Sequence, residues 1–301
     1  MYITVTFNPS IDYIVFVNDF RAGKLNRAKA EHTVPGGKGL NVSMVLRNLG
    51  KQTKAFAFTG GILGDALTEM VKKEGIDFVS IPASSGETRI NVKLKSGEET
   101  EINGRGPSIG KEELERLTSI LKDELREGDT LILSGSVPST LPRTVYRDLA
   151  AMAREKGARS VVDAEGELLT SALSSNPFLI KPNRDELEAI SGISPMTAED
   201  IKEYAKKLRA MGAENVLVSL GGEGALLASS DGNVYFHPAP KGHVINSVGA
   251  GDSMVAGFLS SLADTGCFET ALKYAVAAGS AAAFSGKLAD RALLEESHFT
   301  Y

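Results

Sequence analysis

Met1 to Phe7 is a run rich in isoleucine, valine, threonine and phenylalanine, which predicts a strand that Asn8-Pro9-Ser10 then closes with turn chemistry. A polar site can form at such a strand end. From residue 40 the period changes: Leu40, Val42, Val45, Leu46 and Leu49 fall at helical spacing, and Gly50 supplies a stop signal. Gly36-Gly37-Lys38-Gly39 thus lies directly before a helix. Further on, short apolar runs at Thr130 to Leu133, Ser160 to Val162, Phe178 to Ile180 and Val216 to Leu220 read as strands separated by amphipathic helices. That alternation predicts an α/β fold with a parallel sheet covered on both faces.

Two stretches break the alternation. Tyr13 to Val17 and Thr88 to Asn103 read as exposed antiparallel strands, the second a hairpin around Ser96-Gly97 in which Ile90, Val92 and Leu94 alternate with Asn91 and Lys93. The expectation is a small β lid, formed by about residues 12–35 and 88–105 and inserted in the core of one domain spanning residues 1–301; an ordinary sheet edge is the alternative. The chain shows no internal repeat, low-complexity segment or long linker that would divide it.

With 301 residues, 42% of them hydrophobic, the chain is long enough for one large α/β domain with a small appendage. A formal net charge of −5 argues against a nucleic-acid partner, so an anionic ligand must be held by local groups. The single cysteine, Cys267, cannot form an internal disulfide, and four scattered histidines without cysteine partners give no zinc spacing. A reducing, cytoplasmic setting fits. The opening strand has no basic leader and meets Asn8-Pro9 too soon for a signal peptide, and no apolar run approaches the ~20 residues that span a bilayer. No membrane partner is expected.

The sharpest chemical signal is Asn246-Ser247-Val248-Gly249-Ala250-Gly251-Asp252-Ser253, followed by Met254, Val255, Phe258, Leu259 and Leu262 at helical spacing. A small-residue loop here opens a helix, whose free N–H groups can face an anion that glycines let approach. Asp252 falls at the same place and can accept a proton from an attacking hydroxyl, with the helix dipole keeping its carboxylate ionised. The plainer alternative is a tight turn with an N-terminal helix charge. Neither this loop nor Gly36 to Gly39 has the spacing of a Walker A loop, which disfavours a P-loop nucleotidase. The second signal, Val34-Pro35-Gly36-Gly37-Lys38-Gly39-Leu40-Asn41-Val42, crowds three glycines, a lysine and an asparagine at another helix start. A glycine hinge is its structural alternative, which Asp12, Arg89, Asn91, Glu101 and Asn103 at other strand ends make less attractive.

Together, Pro-Gly-Gly-Lys-Gly-Leu-Asn-Val near residue 38 and Asn-Ser-Val-Gly-Ala-Gly-Asp-Ser near residue 250 resemble the two signatures of the ribokinase-like sugar kinases, in the phosphofructokinase B branch. The resemblance covers essentially the whole chain. Within the branch, the segments Thr6 to Tyr13, Thr88 to Lys93 and Glu99 to Gly104 are most similar to 1-phosphofructokinases, with tagatose-6-phosphate kinases close behind. It implies a three-layer α/β/α sandwich with a small β-sheet lid that closes over the sugar and often forms a homodimer contact. It also implies ATP and Mg2+ as cofactors and a phosphorylated ketohexose as substrate, with fructose 1-phosphate phosphorylated at its 6-hydroxyl as the preferred reaction and tagatose 6-phosphate or fructose 6-phosphate phosphorylated at the 1-hydroxyl as the alternatives.

By the same resemblance Asp252 matches the catalytic base and the amides of Gly249, Ala250 and Gly251 match an anion hole. Asp12, Gly37, Lys38 and Asn41 match sugar-contacting positions, with Arg89, Asn103 and Ser136 as further substrate-side candidates. Lys38 and Arg89 carry fixed charges suited to the substrate's existing phosphate, and Lys24 and Arg27 are lesser candidates. On the nucleotide side, Lys181 and the segment Asn183 to Glu186 resemble the family's Asn-x-x-Glu motif, in which Asn183 and Glu186 organise Mg2+ through water. A strand-to-helix turn with acidic residues in the first helical turn is the structural reading of the same motif. Ser219, Gly221, Gly222, Glu223 and Gly224 resemble the nucleotide loop, and Ala278, Gly279 and Ser280 resemble the adenine pocket, although small residues also serve close helix packing. Ala164-Glu165 departs from the small hydroxyl residue usual before Gly166. Two other classes stay open: a non-catalytic sugar-phosphate or nucleotide sensor on the same fold, and a dinucleotide oxidoreductase. The second lacks a Gly-x-Gly-x-x-Gly after the first strand.

Overall fold

Alternation along the strands fixes the layers. In β1 (Tyr2–Thr6), Ile3 and Val5 enter one apolar cluster and Tyr2 another; in β8 (Thr130–Ser134), Leu131 and Leu133 part from Ile132 in the same way. In β9 (Arg159–Asp163) the pair is Val162 against Val161, and in β11 (Asn215–Ser219) Val216 and Val218 against Leu217. Apolar residues on both sides require cover on both sides.

The computed structural model, which describes residues 1–296, supplies it. The main sheet runs in the order β13 (Val234–His237), β12 (Ala225–Ala228), β11, β10 (Leu179–Ile180), β9, β8, β1, β4 (Thr53–Thr59), β5 (Asp77–Pro82). It is parallel from β5 to β11, and β12 and β13 add an antiparallel edge. One face is covered by α3 (Lys111–Glu124), α4 (Val145–Glu155), α5 (Gly166–Ala172), α6 (Arg184–Ser191) and α7 (Ala198–Ala210). The other carries α1 (Lys38–Asn48), α2 (Gly61–Lys73), α8 (Ala250–Thr265) and α9 (Phe268–Ser285), with α10 (Arg291–Glu296) against α9. This is the three-layer α/β/α arrangement expected. Among the described residues, no helix is long and apolar enough to cross a membrane.

A second sheet of four strands has the order β3 (Ala28–Gly36), β2 (Ser10–Val17), β6 (Arg89–Ser96), β7 (Glu98–Asn103). The β6–β7 hairpin turns at Gly97, with φ 76°, where the sequence places it. The expected antiparallel relation between the Tyr13 and Thr88 segments is corrected. β2 pairs antiparallel with β3 but parallel with β6, Asp12 lying opposite Asn91. The reason is topological: β2 and β6 continue from β1 and β5, two strands of the main sheet that already point the same way.

α8 carries the Asp252 loop at its start and is anchored by Phe258, which is fully buried in the second cluster. Phe258→Ala should lower stability by about 3–5 kcal/mol, seen as a drop in denaturant midpoint at unchanged slope. A loss under about 1 kcal/mol would show that other contacts hold the helix.

Candidate active site

From β1 the chain moves to β4 and β5 on one side and later to β8 through β11 on the other. The C-terminal ends of β1 and β8 therefore bound a switch-point crevice, the place where open α/β sheets hold ligands. α1 starts there. Its N-cap, Gly37, has φ 121°, and a Cβ at this position would stand 2.8 Å from Thr6 Cγ2, so only glycine seats the helix start on the end of β1.

Two strand ends and a helix start contribute charge. Asp163, at the end of β9, is fully buried, with Lys38 Nζ 3.2 Å and Lys181 Nζ 3.4 Å from its Oδ1. Burial alone would push the Asp163 carboxyl up, but the two ammonium groups outweigh it and hold the carboxyl below its usual range. The Asp163 charge in turn raises Lys38 well above its usual range, against burial and with help from Asp252. Asp163 Oδ2 is buried without a hydrogen-bond partner.

Asp252 lies in the first turn of α8, after the left-handed N-cap Gly249 at φ 78°. N–H groups in such a turn lack intrahelical acceptors. Ala250 donates its own back to Ser247 O at 3.2 Å, so of the three expected anion-hole amides those of Gly249 and Gly251 meet no backbone acceptor among the described residues. A Cβ on Gly251 would lie 3.2 Å from Lys181 Nζ, which puts that ammonium against the helix start. The Asp252 carboxyl is 4% exposed and Asn41 Nδ2 donates to its Oδ2 at 2.8 Å. Burial first, and the Asp163 charge second, push it up to about 6, against Asn41, Lys38 and Lys181. The carboxyl is raised even at a helix start, because a terminal dipole is worth about 0.3–1 kcal/mol and removing a carboxylate from water is worth more.

A cleft of about 680 Å³ opens beside these groups, lined by Lys38, Ser136, Arg143, Asn183 and Glu186 among others. The Asn-x-x-Glu motif forms a capping box on α6: Asn183 Oδ1 accepts from Glu186 N at 2.8 Å, and Asn183 N donates to Glu186 Oε2 at 2.9 Å. Burial leads in raising the Glu186 carboxyl above its ordinary range. Ser219, at the end of β11, bridges to Asn183, and Gly221–Glu223 forms one 3-10 turn whose Glu223 pairs with Arg184 at 2.7 Å, Gly224 closing it. A Cβ on Gly279 would meet Met254 Cγ at 2.5 Å, and Ala278 is buried against α8, so these two small residues serve helix packing; Ser280 stays half-buried. Among the described residues, no cluster of three or more His, Cys, Asp or Glu could hold a metal by itself. The donor set does fit Mg2+, which keeps waters and takes one or two carboxylates with substrate phosphates: Glu186 lines the cleft, and Asp163 Oδ2 is an orphaned anionic oxygen near it.

A second cavity, about 440 Å³, lies under the small sheet and is lined by Asp12, Lys93, Asn41 and Gly249 among others. Asp12 Oδ1 accepts from Ser10 Oγ at 2.6 Å and Asn91 Nδ2 at 3.1 Å, and Lys93 Nζ stands 3.3 Å from Oδ2. The structure thus joins Asp12 and Asn41 to the Asp252 loop and sets Lys38 and Ser136 on the other cleft. Arg89 donates to Asn8 O at 2.9 and 3.2 Å and to Gly104 O at 3.4 Å, tying two turns together, and lines neither cavity; nor does the exposed Asn103. Lys24 and Arg27 lie exposed between β2 and β3. Asp163 was not among the sequence candidates, although a lone acid ending the apolar run of β9 was its visible signal.

Residues 5–292 match the model of the pfkB family carbohydrate kinases. The chain is 44% identical over 296 residues to a 1-phosphofructokinase of Bacillus subtilis (strain 168), covering 98% of this chain and 97% of that protein. It is 35% identical over 300 residues to a D-tagatose-1-phosphate kinase of Bacillus licheniformis, covering 98% and 97%. Among solved structures, phosphofructokinase-2 of Escherichia coli in complex with fructose-6-phosphate superposes with a TM-score of 0.90 at 29% identity, over 98% of this chain and 96% of that one. With a match this long and identity of this depth, the chain belongs to the pfkB family of carbohydrate kinases and is a sugar phosphotransferase.

Proposed function

We propose that the protein transfers the γ-phosphoryl group of ATP to the 6-hydroxyl of fructose 1-phosphate, giving fructose 1,6-bisphosphate and ADP. The observation that carries the reading is the buried Asp252 carboxyl at a helix start, held by Asn41 and flanked by Lys181 and Lys38. The choice of a 1-phosphorylated ketohexose is supported by the two curated relatives above, both named for 1-phosphates or for their kinase.

In this reading the sugar lies in the cavity under the small sheet, its hydroxyls on Asp12 and Asn41, and sheet closure excludes water. The 6-hydroxyl oxygen attacks the γ-phosphorus in line, its proton passes to Asp252, and the bond from that phosphorus to the bridging oxygen of ADP breaks. The Gly249 and Gly251 amides and Lys181 face the charge on the transferred group. When bound, Mg2+ neutralises phosphate charge; Asn183 and Glu186 would hold it through water. The Ser219 and Gly221 to Gly224 loop and Ser280 hold the nucleotide's other end. Lys38, sharing Asp163 with Lys181, belongs to phosphate binding on the nucleotide side as much as to the sugar. A cytoplasmic site of action goes with the need for ATP.

Two copies pair through the small sheet. Its outer face presents Tyr13, Val15, Ile90, Val92, Leu94 and Ile102, with Ile90 40% and Ile102 64% exposed, an apolar surface opposite the polar inner one.

A coupled ADP-release assay with Mg-ATP and fructose 1-phosphate, fructose 6-phosphate, tagatose 6-phosphate and fructose tests the reaction. Fructose 1-phosphate should lead by kcat/KM, and Asp252→Ala should lower kcat by about 10² or more with little change in ATP affinity. Preference for a 6-phosphate would move the substrate and the attacked hydroxyl; turnover of none would leave a sensor. The base must be ionised to act, so kcat/KM should rise with pH through about 6 and fall tenfold per unit below it. In Asn41→Ala, which loses a donor to the charged form, that limb should move to higher pH; a limb unmoved by both Asn41→Ala and Asp252→Glu would assign it elsewhere. In light scattering, Ile102→Asp should convert a dimer to the 31.9 kDa monomer, and a monomeric wild type would remove the pairing.

A further inference from the structure

The inner face of the small sheet holds a buried cation that the transfer step does not use. Lys93 is 4% exposed, and its Nζ lies 3.3 Å from Asp12 Oδ2 and 3.6 Å from Glu101 Oε1. Register places it: Lys93 stands opposite Ile14 in β2 and opposite Glu101 in β7, two residues along from the Asp12–Asn91 pair and on the same face. The Asp12 carboxylate is therefore gripped on both oxygens, by Ser10 and Asn91 on one and by Lys93 on the other. Asn91 also donates to Ser10 Oγ at 3.0 Å, so the amide that holds Asp12 Oδ1 is itself tied to a second side chain of β2.

A buried lysine is rare unless paired, and ion pairs taken out of water stabilise a fold poorly compared with apolar residues of the same size. What this pair does well is fix the direction of one carboxylate on a cavity wall. Lys93 is ill suited to grip a phosphate itself, because two carboxylates already flank its ammonium group.

We propose that Lys93 is a positioning residue for sugar binding: it holds Asp12 Oδ2 so that the carboxylate meets the sugar hydroxyls, and it affects the sugar only through Asp12. This rests on the reading that Asp12 contacts the sugar. The test is a double-mutant cycle in the full chain with Asp12→Asn, Lys93→Met and both together, plus Lys93→Arg, using the ketohexose phosphate that the panel above selects and recording thermal unfolding in parallel. Asp12→Asn and Lys93→Met should each raise the sugar KM about tenfold or more, with kcat within about threefold and the ATP KM unchanged. The double variant should be no worse than Asp12→Asn alone, within about twofold, and Lys93→Arg should recover most of the loss. Multiplying effects in the double variant, or an unchanged KM in Lys93→Met, would overturn the proposal while leaving Asp12 in the sugar site. An unchanged KM in Asp12→Asn would instead remove Asp12 from that site, and the role of Lys93 with it. Should Lys93→Met not fold, Lys93→Gln, which keeps a donor without the charge, carries the same cycle.

Discussion

A fully buried carboxylate is tolerable only with its charge answered nearby, and Asp163 has that answer from both Lys38 and Lys181. The three residues come from the end of β9, the start of α1 and the residue after β10, so one electrostatic demand draws three separate pieces of chain to a point. Lys181 then stands against Gly251, and Lys38 sits one turn of α1 before Asn41, which reaches Asp252. Removing either lysine would leave Asp163 under-compensated and shift the other. The site is a network in which each charge sets the next, and the effects of single substitutions in it should not add.

Asp252 shows the same competition with the opposite result. Asp163 is held low although it is more deeply buried, because two cations face it; Asp252 is raised by its own burial first and by the Asp163 charge second, which the neutral amide of Asn41 and the two lysines only partly offset. Two carboxyls near one another are thereby set apart in proton affinity, one locked as an anion and the other poised where it can take a proton and give it back.

The parallel sheet, the helix starts at Gly37 and Gly249 and the hairpin at Gly97 were legible because each leaves a local mark: a switch of hydrophobic period, or a glycine where φ must be positive. The direction of β2 relative to β6 was not, since pairing of segments 79 residues apart depends on how each leaves the main sheet. Nor were β4, β5, β12 and β13 named, although Phe56 and Phe58 make β4 half of a clear alternation. At the site, glycine loops announced the helix starts, whereas the partners of each charge are set by tertiary contacts. Lys38 reads from sequence as a phosphate binder and is found on Asp163, and Arg89 reads the same way and is found on backbone carbonyls.

The small sheet is built from two excursions of the chain, residues 10–36 and 89–103, whose strands are joined through the β2–β6 pairing. During synthesis, β2 and β3 emerge as a lone hairpin, which is marginal in water, and the partner that completes them follows only after α1, β4, α2 and β5. The polar inner face thus cannot assemble on a nascent chain shorter than about residue 103, and Asp252 arrives some 150 residues later still. A product truncated between those two points carries the small sheet's half of the site without the half that α8 brings.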